Sequence, residues 1–136
     1  MSASYSGRPL AAKLGIKAGM TLALCHAPED YQALLAPLPE PPTWQTELTE
    51  GTLDFIQYFT TSRDALETEF PMLKAALRPA GMLWVSWPKR AAKIPTDLDG
   101  NLVRAIGLDR GLVDVKVAAV DQVWSGLKFV YRLVDR

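Results

Sequence analysis

The chain is 136 residues long, 49% apolar and 22% charged, with fifteen basic side chains against fifteen acidic ones. A globular domain of this size buries roughly two-thirds of its surface, and the composition excludes a disordered tail and a fibre. Balanced charge argues against a general nucleic-acid or polyanion binder, and the single cysteine, Cys25, excludes an internal disulfide and a thiolate-rich metal site. No apolar run approaches the ~20 residues of a membrane span. The opening residues, MSASYSGRPLAAKLG, lack a hydrophobic signal core, which reads as cytoplasmic. Residues 1–68 carry four basic and eight acidic side chains, and residues 69–136 carry eleven and seven. Two halves of opposite charge attract one another within one fold.

Pro9 before LAAKL, with Gly15 after it, predicts a short helix. Residues 20–27, MTLALCHA, lie between Gly19 and Pro28 and predict a buried strand. A helix follows over 29–36, with Tyr31, Leu34 and Leu35 at helical spacing. Prolines at 37, 39, 41 and 42 forbid helix and central strand, so residues 37–47 are expected to form an exposed, proline-rich surface loop. Residues 53–60, LDFIQYFT, have the aromatic and β-branched content of a strand.

Thr61 and Asp64 fit a capping box, and Leu66, Phe70, Leu73 and Leu77 share one helical face. Pro71 interrupts that helix, predicting a kink or two short helices, and RPAG at 78–81 predicts its end. Residues 82–87, MLWVSW, form the next strand, stopped by Pro88. A second capping box, Thr96 with Asp99, predicts a helix packed through Leu98, Leu102, Ala105 and Ile106. Residues 113–120 and 127–134 alternate as strands and form a hairpin around residues 121–126. Alternation of strand and helix gives a parallel sheet with helices on both faces, and the short last connection makes the final strand antiparallel. The expected fold is a single small doubly wound α/β domain over residues 1–136, with about five strands, mostly parallel, and a C-terminal antiparallel hairpin.

This order, with LGIKAGM leading into the first strand, LKAALRPAGMLWVSWP at 73–88 and the closing hairpin, resembles a Rossmann-type methyltransferase, truncated by about a strand–helix pair. In such enzymes the first strand leads into a glycine-rich loop where backbone approaches S-adenosylmethionine. Here that stretch is LALCHAPEDY, residues 22–31, without a glycine. The expectation is therefore no cofactor, with S-adenosylmethionine disfavoured. The blocks YSGRPLAAKLGI, VSWPKR and VDVKVAAVDQVWSGLKFV are also similar to a bacterial family of short proteins of unknown function. That resemblance implies no activity.

Ligands of open α/β sheets bind beyond the carboxyl ends of the parallel strands. That rule selects residues 26–30, 61–63 and 86–90, and the candidate ligand-binding residues are His26, Glu29, Thr61, Arg63, Trp87, Lys89, Arg90 and Trp124. Arg63 opens a helix whose free amides favour an anion, and Lys89, Arg90 and Lys93 follow a strand end, so a phosphate or carboxylate fits there; the other reading is a solvated basic loop. Trp87 and Trp124 would wall a pocket for a flat ligand if they met at one rim, and otherwise cap the core. Ser86 lacks the glycine-flanked elbow of a nucleophile, and Cys25 and His26 point to opposite faces, so no catalytic group is assigned. Cys25 reads as a small buried hydrophobe, and one histidine with scattered carboxylates offers no metal site.

The expectation is a non-catalytic cytoplasmic protein that binds a small anionic ligand or a protein partner. The alternative is an S-adenosylmethionine- or nucleotide-binding enzyme with an atypical first loop. A third reading is an interaction subunit using the proline loop and exposed tryptophans.

Overall fold

In the computed structural model, which describes residues 9–38 and 42–136, six strands form one sheet with helices on both faces. Helix α1, Leu10–Leu14, starts after Pro9 and stops at Gly15, whose φ of 89° closes the last turn in the left-handed region that glycine occupies freely. Strand β1, Thr21–Cys25, leads into α2, Tyr31–Leu34, a single turn that buries Tyr31 and leaves Leu34 52% exposed. Strand β2, Thr43–Trp44, lies inside the segment expected to be only a loop, and is the sixth strand that residue pattern misses. Trp44 packs half-buried against the core, which holds this proline-flanked stretch to the sheet. Pro39 and Pro41 of that stretch, and the start of the YSGRPLAAKLGI block, fall outside the described residues.

Strand β3, Leu53–Phe59, precedes α3, Arg63–Ala76, whose N-cap is Ser62 rather than the expected Thr61. The Ser62 hydroxyl accepts from the Ala65 amide at 3.1 Å, while the Thr60 hydroxyl takes the Ser62 amide. Pro71 does not divide α3. It sits on the exposed face, where its ring and missing amide disturb solvent-side backbone while Leu66, Phe70 and Leu73 stay buried opposite. Strand β4, Leu77–Pro88, begins five residues before the expected start, because RPAG continues the strand through a register irregularity against β3.

Helix α4, Gly100–Asp109, is capped by Asp99, whose carboxylate accepts from the Leu102 amide at 2.8 Å. Thr96 instead donates to the Thr61 carbonyl. Its buried face is Val103, Ile106 and Gly107, one step away from the expected stripe, and Ala105 is exposed. The hairpin is β5, Leu112–Ala119, with β6, Trp124–Tyr131, and residues 133–135 form a 3-10 turn rather than strand.

The sheet order is β2-β1-β3-β4-β6-β5. β2, β1, β3 and β4 are parallel, and β6 runs antiparallel to both neighbours. One face packs Leu66, Phe70, Leu73, Val103 and Ile106 of α3 and α4 on Ile56, Tyr58, Val85 and Phe129. The other packs α1 and α2 on Phe55, Phe59 and Trp84. Trp84 is fully buried, and its indole N–H donates to the Leu14 carbonyl at 2.9 Å. The strand order reverses between β1 and β3, the switch point at which such sheets open a crevice. No helix of the described residues is long and apolar enough to cross a membrane.

Candidate functional site at the carboxyl rim

Above the switch point the chain leaves β1 through residues 26–30. His26 and Asp30 both hold positive φ, 58° and 67°, a region that L side chains rarely enter and that His and Asp enter more often than most. The loop is thus turned by residues with side chains. Glu29 and Asp30 are exposed, and His26 leans over Tyr58 with ring centroids 5.6 Å apart.

Below that loop lies a group of polar side chains that residue pattern alone does not bring together. Cys25 and Tyr58 are register partners on β1 and β3. The Tyr58 hydroxyl donates a short hydrogen bond to Glu69 of α3, and the same carboxylate oxygen stands 3.5 Å from His26 Nε2. Burial, then the hydrogen bond to Glu69, pushes the Tyr58 hydroxyl well above its usual range. Burial, and secondarily Glu69, lifts the Cys25 thiol to about 11, so it is neutral at physiological pH. Cys25 is half-buried at this rim rather than sunk in the core.

Ser86 is fully buried and accepts from Gln57 Nε2 at 3.1 Å, while Gln57 Oε1 accepts the Tyr31 hydroxyl at 2.6 Å. This satisfied chain lies under the rim and leaves Ser86 unavailable as a nucleophile. Among the described residues no cluster of three or more metal-ligating side chains occurs.

The second opening lies at the end of β4. Trp87, Pro88 and Leu98 floor a cleft of about 570 Å³, and Lys89, Arg90, Asp97, Asp99 and Ser125 rise around it. The Lys89 amide donates to the Val123 carbonyl at 2.7 Å, which ties this wall to the β5–β6 turn. That turn lies at the same carboxyl rim, because Pro88 pairs with Trp124.

The sequence-selected residues therefore divide. His26 and Glu29 belong to the switch point, and Trp87, Lys89 and Arg90 to the cleft. Thr61 and Arg63 lie on the ridge between them: the Thr61 carbonyl accepts from Thr96, and the Arg63 amide donates to Asp97 at 2.8 Å. The free amide expected to draw an anion at Arg63 is thus occupied by a carboxylate of the chain, and the Arg63 guanidinium pairs with Glu67 at 3.2 Å. Trp87 and Trp124 do not meet. They sit on successive register pairs and so on opposite faces, with Trp124 edge-on to Phe59 at 5.2 Å. Tyr58 and Glu69 are the rim residues that pattern misses: Tyr58 reads as one more strand aromatic, and Glu69 as a helix-surface charge.

No family model matches the chain, and no curated protein matches it. Solved structures do match. An S-adenosylmethionine-dependent methyltransferase from Aquifex aeolicus superposes with a TM-score of 0.60 at 15% identity, over 88% of this chain and 86% of that one. A TehB-like S-adenosylmethionine-dependent methyltransferase from Corynebacterium glutamicum gives 0.56 at 12%, over 90% and 85%. Magnesium protoporphyrin IX methyltransferase from Synechocystis, solved with bound S-adenosylmethionine, gives 0.57 at 13%, over 90% and 74%. The resemblance to short bacterial proteins of unknown function gains nothing from these matches, and neither does the non-catalytic reading. The expectation of no cofactor is overturned, since these neighbours are proteins that depend on or hold S-adenosylmethionine. The chain has the Rossmann-like fold of the S-adenosylmethionine-dependent methyltransferases.

Proposed function

We propose that this chain binds S-adenosylmethionine above the β1–β3 switch point and acts as a methyltransferase-type enzyme through a first loop made without glycine. The observation that carries this reading is the backbone of that loop. His26 and Asp30 adopt the left-handed conformation that glycine would otherwise supply, so the sharp reversal after β1 is made by other residues. The donor set suits the ligand's charge. Glu29, Asp30 and Glu69 place three carboxylates at this opening, which favours a sulfonium cation and disfavours the phosphates of a nucleotide.

β2 contributes nothing at that level, because it pairs with β1 only as far as Leu22. Glu29 and Asp30 are the exposed carboxylates of the first loop and would hold the ribose hydroxyls. When bound, the group supplies an electrophilic methyl. His26 is the imidazole at this rim, with its Nε2 3.5 Å from Glu69, and would face a group bound above the loop.

Isothermal titration with S-adenosylmethionine tests this reading. The expected result is saturable heat at micromolar strength, a rise in melting temperature at millimolar ligand, and at least a tenfold loss of affinity in Glu29→Ala/Asp30→Ala. Absence of both heat and thermal stabilisation would overturn it.

A further inference from the structure

The cleft at the end of β4 is separate from the first loop, and its chemistry differs. Lys89 and Arg90 have no carboxylate partner among the described residues. The two carboxylates on the opposite wall are already engaged. Asp97 accepts the Arg63 amide at the start of α3, and Asp99 accepts the Leu102 amide at the start of α4, each at 2.8 Å. Each helix start offsets roughly half a unit charge. Two free cations against two half-offset carboxylates leave the opening with about one net positive charge.

Beneath these charges the floor is apolar. Trp87 and Leu98 are 7% and 6% exposed, Pro88 is buried, and Ile94 stands at the rim 37% exposed. The cleft's volume lies within the usual range for sites that hold small organic molecules. A bare inorganic anion would leave the exposed Ile94 side chain and the edges of Trp87 and Leu98 uncovered, and a neutral apolar molecule would leave the two cations unanswered.

We propose that this cleft binds a small organic carboxylate, its apolar body against Ile94 and the exposed edges of Trp87 and Leu98 and its carboxylate between Lys89 and Arg90. The site stands without S-adenosylmethionine. Only its use as the place of the methyl acceptor rests on the proposed function, with the β3–α3 ridge at residues 60–62 between the two openings.

The test uses 1-naphthoate, its neutral amide 1-naphthamide, and inorganic phosphate, each titrated into the full chain by ¹H–¹⁵N NMR with no S-adenosylmethionine present. Naphthoate is expected to shift the Trp87 indole N–H saturably while the Trp84 N–H stays in place, reporting an intact core. Naphthamide and phosphate should each bind at least tenfold more weakly. Lys89→Met and Arg90→Met should each weaken naphthoate at least fivefold, with melting temperatures unchanged. Equal affinity for naphthoate and naphthamide, equal affinity for phosphate, unchanged binding in both variants, or no saturable shift would each overturn the proposal. Because S-adenosylmethionine is absent, each of these results is read apart from the cofactor titration.

Discussion

At the scale of single residues, Cys25 and the Tyr31–Gln57–Ser86 chain give opposite lessons about buried polarity. The Cys25 thiol ionises near 11 because burial and the Glu69 charge both disfavour the thiolate. Its alkylation by iodoacetamide at pH 8 should therefore run roughly a hundredfold slower than that of a free thiol, and should climb as pH approaches 11. A rate equal to that of free cysteine would contradict this. The linked stability has a definite sign. A thiol that ionises near 9 unfolded and near 11 folded contributes its full share below pH 9 and loses it between 9 and 11. Tyr31 and Tyr58 are raised in the same direction, so urea midpoints should fall as pH rises above 9. The polar chain is fully satisfied, and Tyr31→Phe would strand Gln57 Oε1 in the interior. We expect a loss of about 1–3 kcal/mol in urea unfolding with an unchanged m-value. A neutral result would mean that Gln57 finds another donor.

At the scale of elements, α3 and α4 show how position within a helix sets the cost of an unusual residue. Pro71 occupies the interior of a fourteen-residue helix but its outer face, so the sequence signal for a break is real and the packing of the inner face overrides it. Pro71→Ala restores an amide aimed at the Glu67 carbonyl, and should stabilise the chain by about 1–3 kcal/mol, less what the freer unfolded chain takes back. A drop in melting temperature would contradict that. Gly107 is the reverse case. A Cβ there would lie 2.1 Å from Phe129 Cε1, and that ring is fully buried edge-on to Phe70 at 5.7 Å. Gly107→Ala forces α4 away from the sheet, with an expected loss of about 1–3 kcal/mol or more. Unchanged thermal unfolding would show that Phe129 has room to turn.

At the scale of the molecule, the alternation of elements was enough to place β1, β3, β4 and the closing hairpin, because each carries an apolar or alternating run bounded by turn residues. β2 was hidden because a two-residue strand between prolines has no periodicity to detect, and only Trp44 hints that the segment is anchored. The rim was half legible. The rule of carboxyl ends found His26, Glu29, Lys89 and Arg90, yet could not show that they form two openings or that Asp97 already fills the start of α3. The first loop misled in an instructive way: absence of glycine counted against the cofactor, whereas His26 and Asp30 take up the left-handed backbone conformation without it. A left-handed residue is a backbone state, and composition records it only when glycine occupies it.

The claim that this loop holds S-adenosylmethionine is tested most directly by amide hydrogen exchange with and without saturating ligand. Slowed exchange is expected, confined to residues 26–31 and 60–63, with the amides of 89–92 unchanged. Exchange unaltered at the first loop, or slowed only around the β4 cleft, would contradict it.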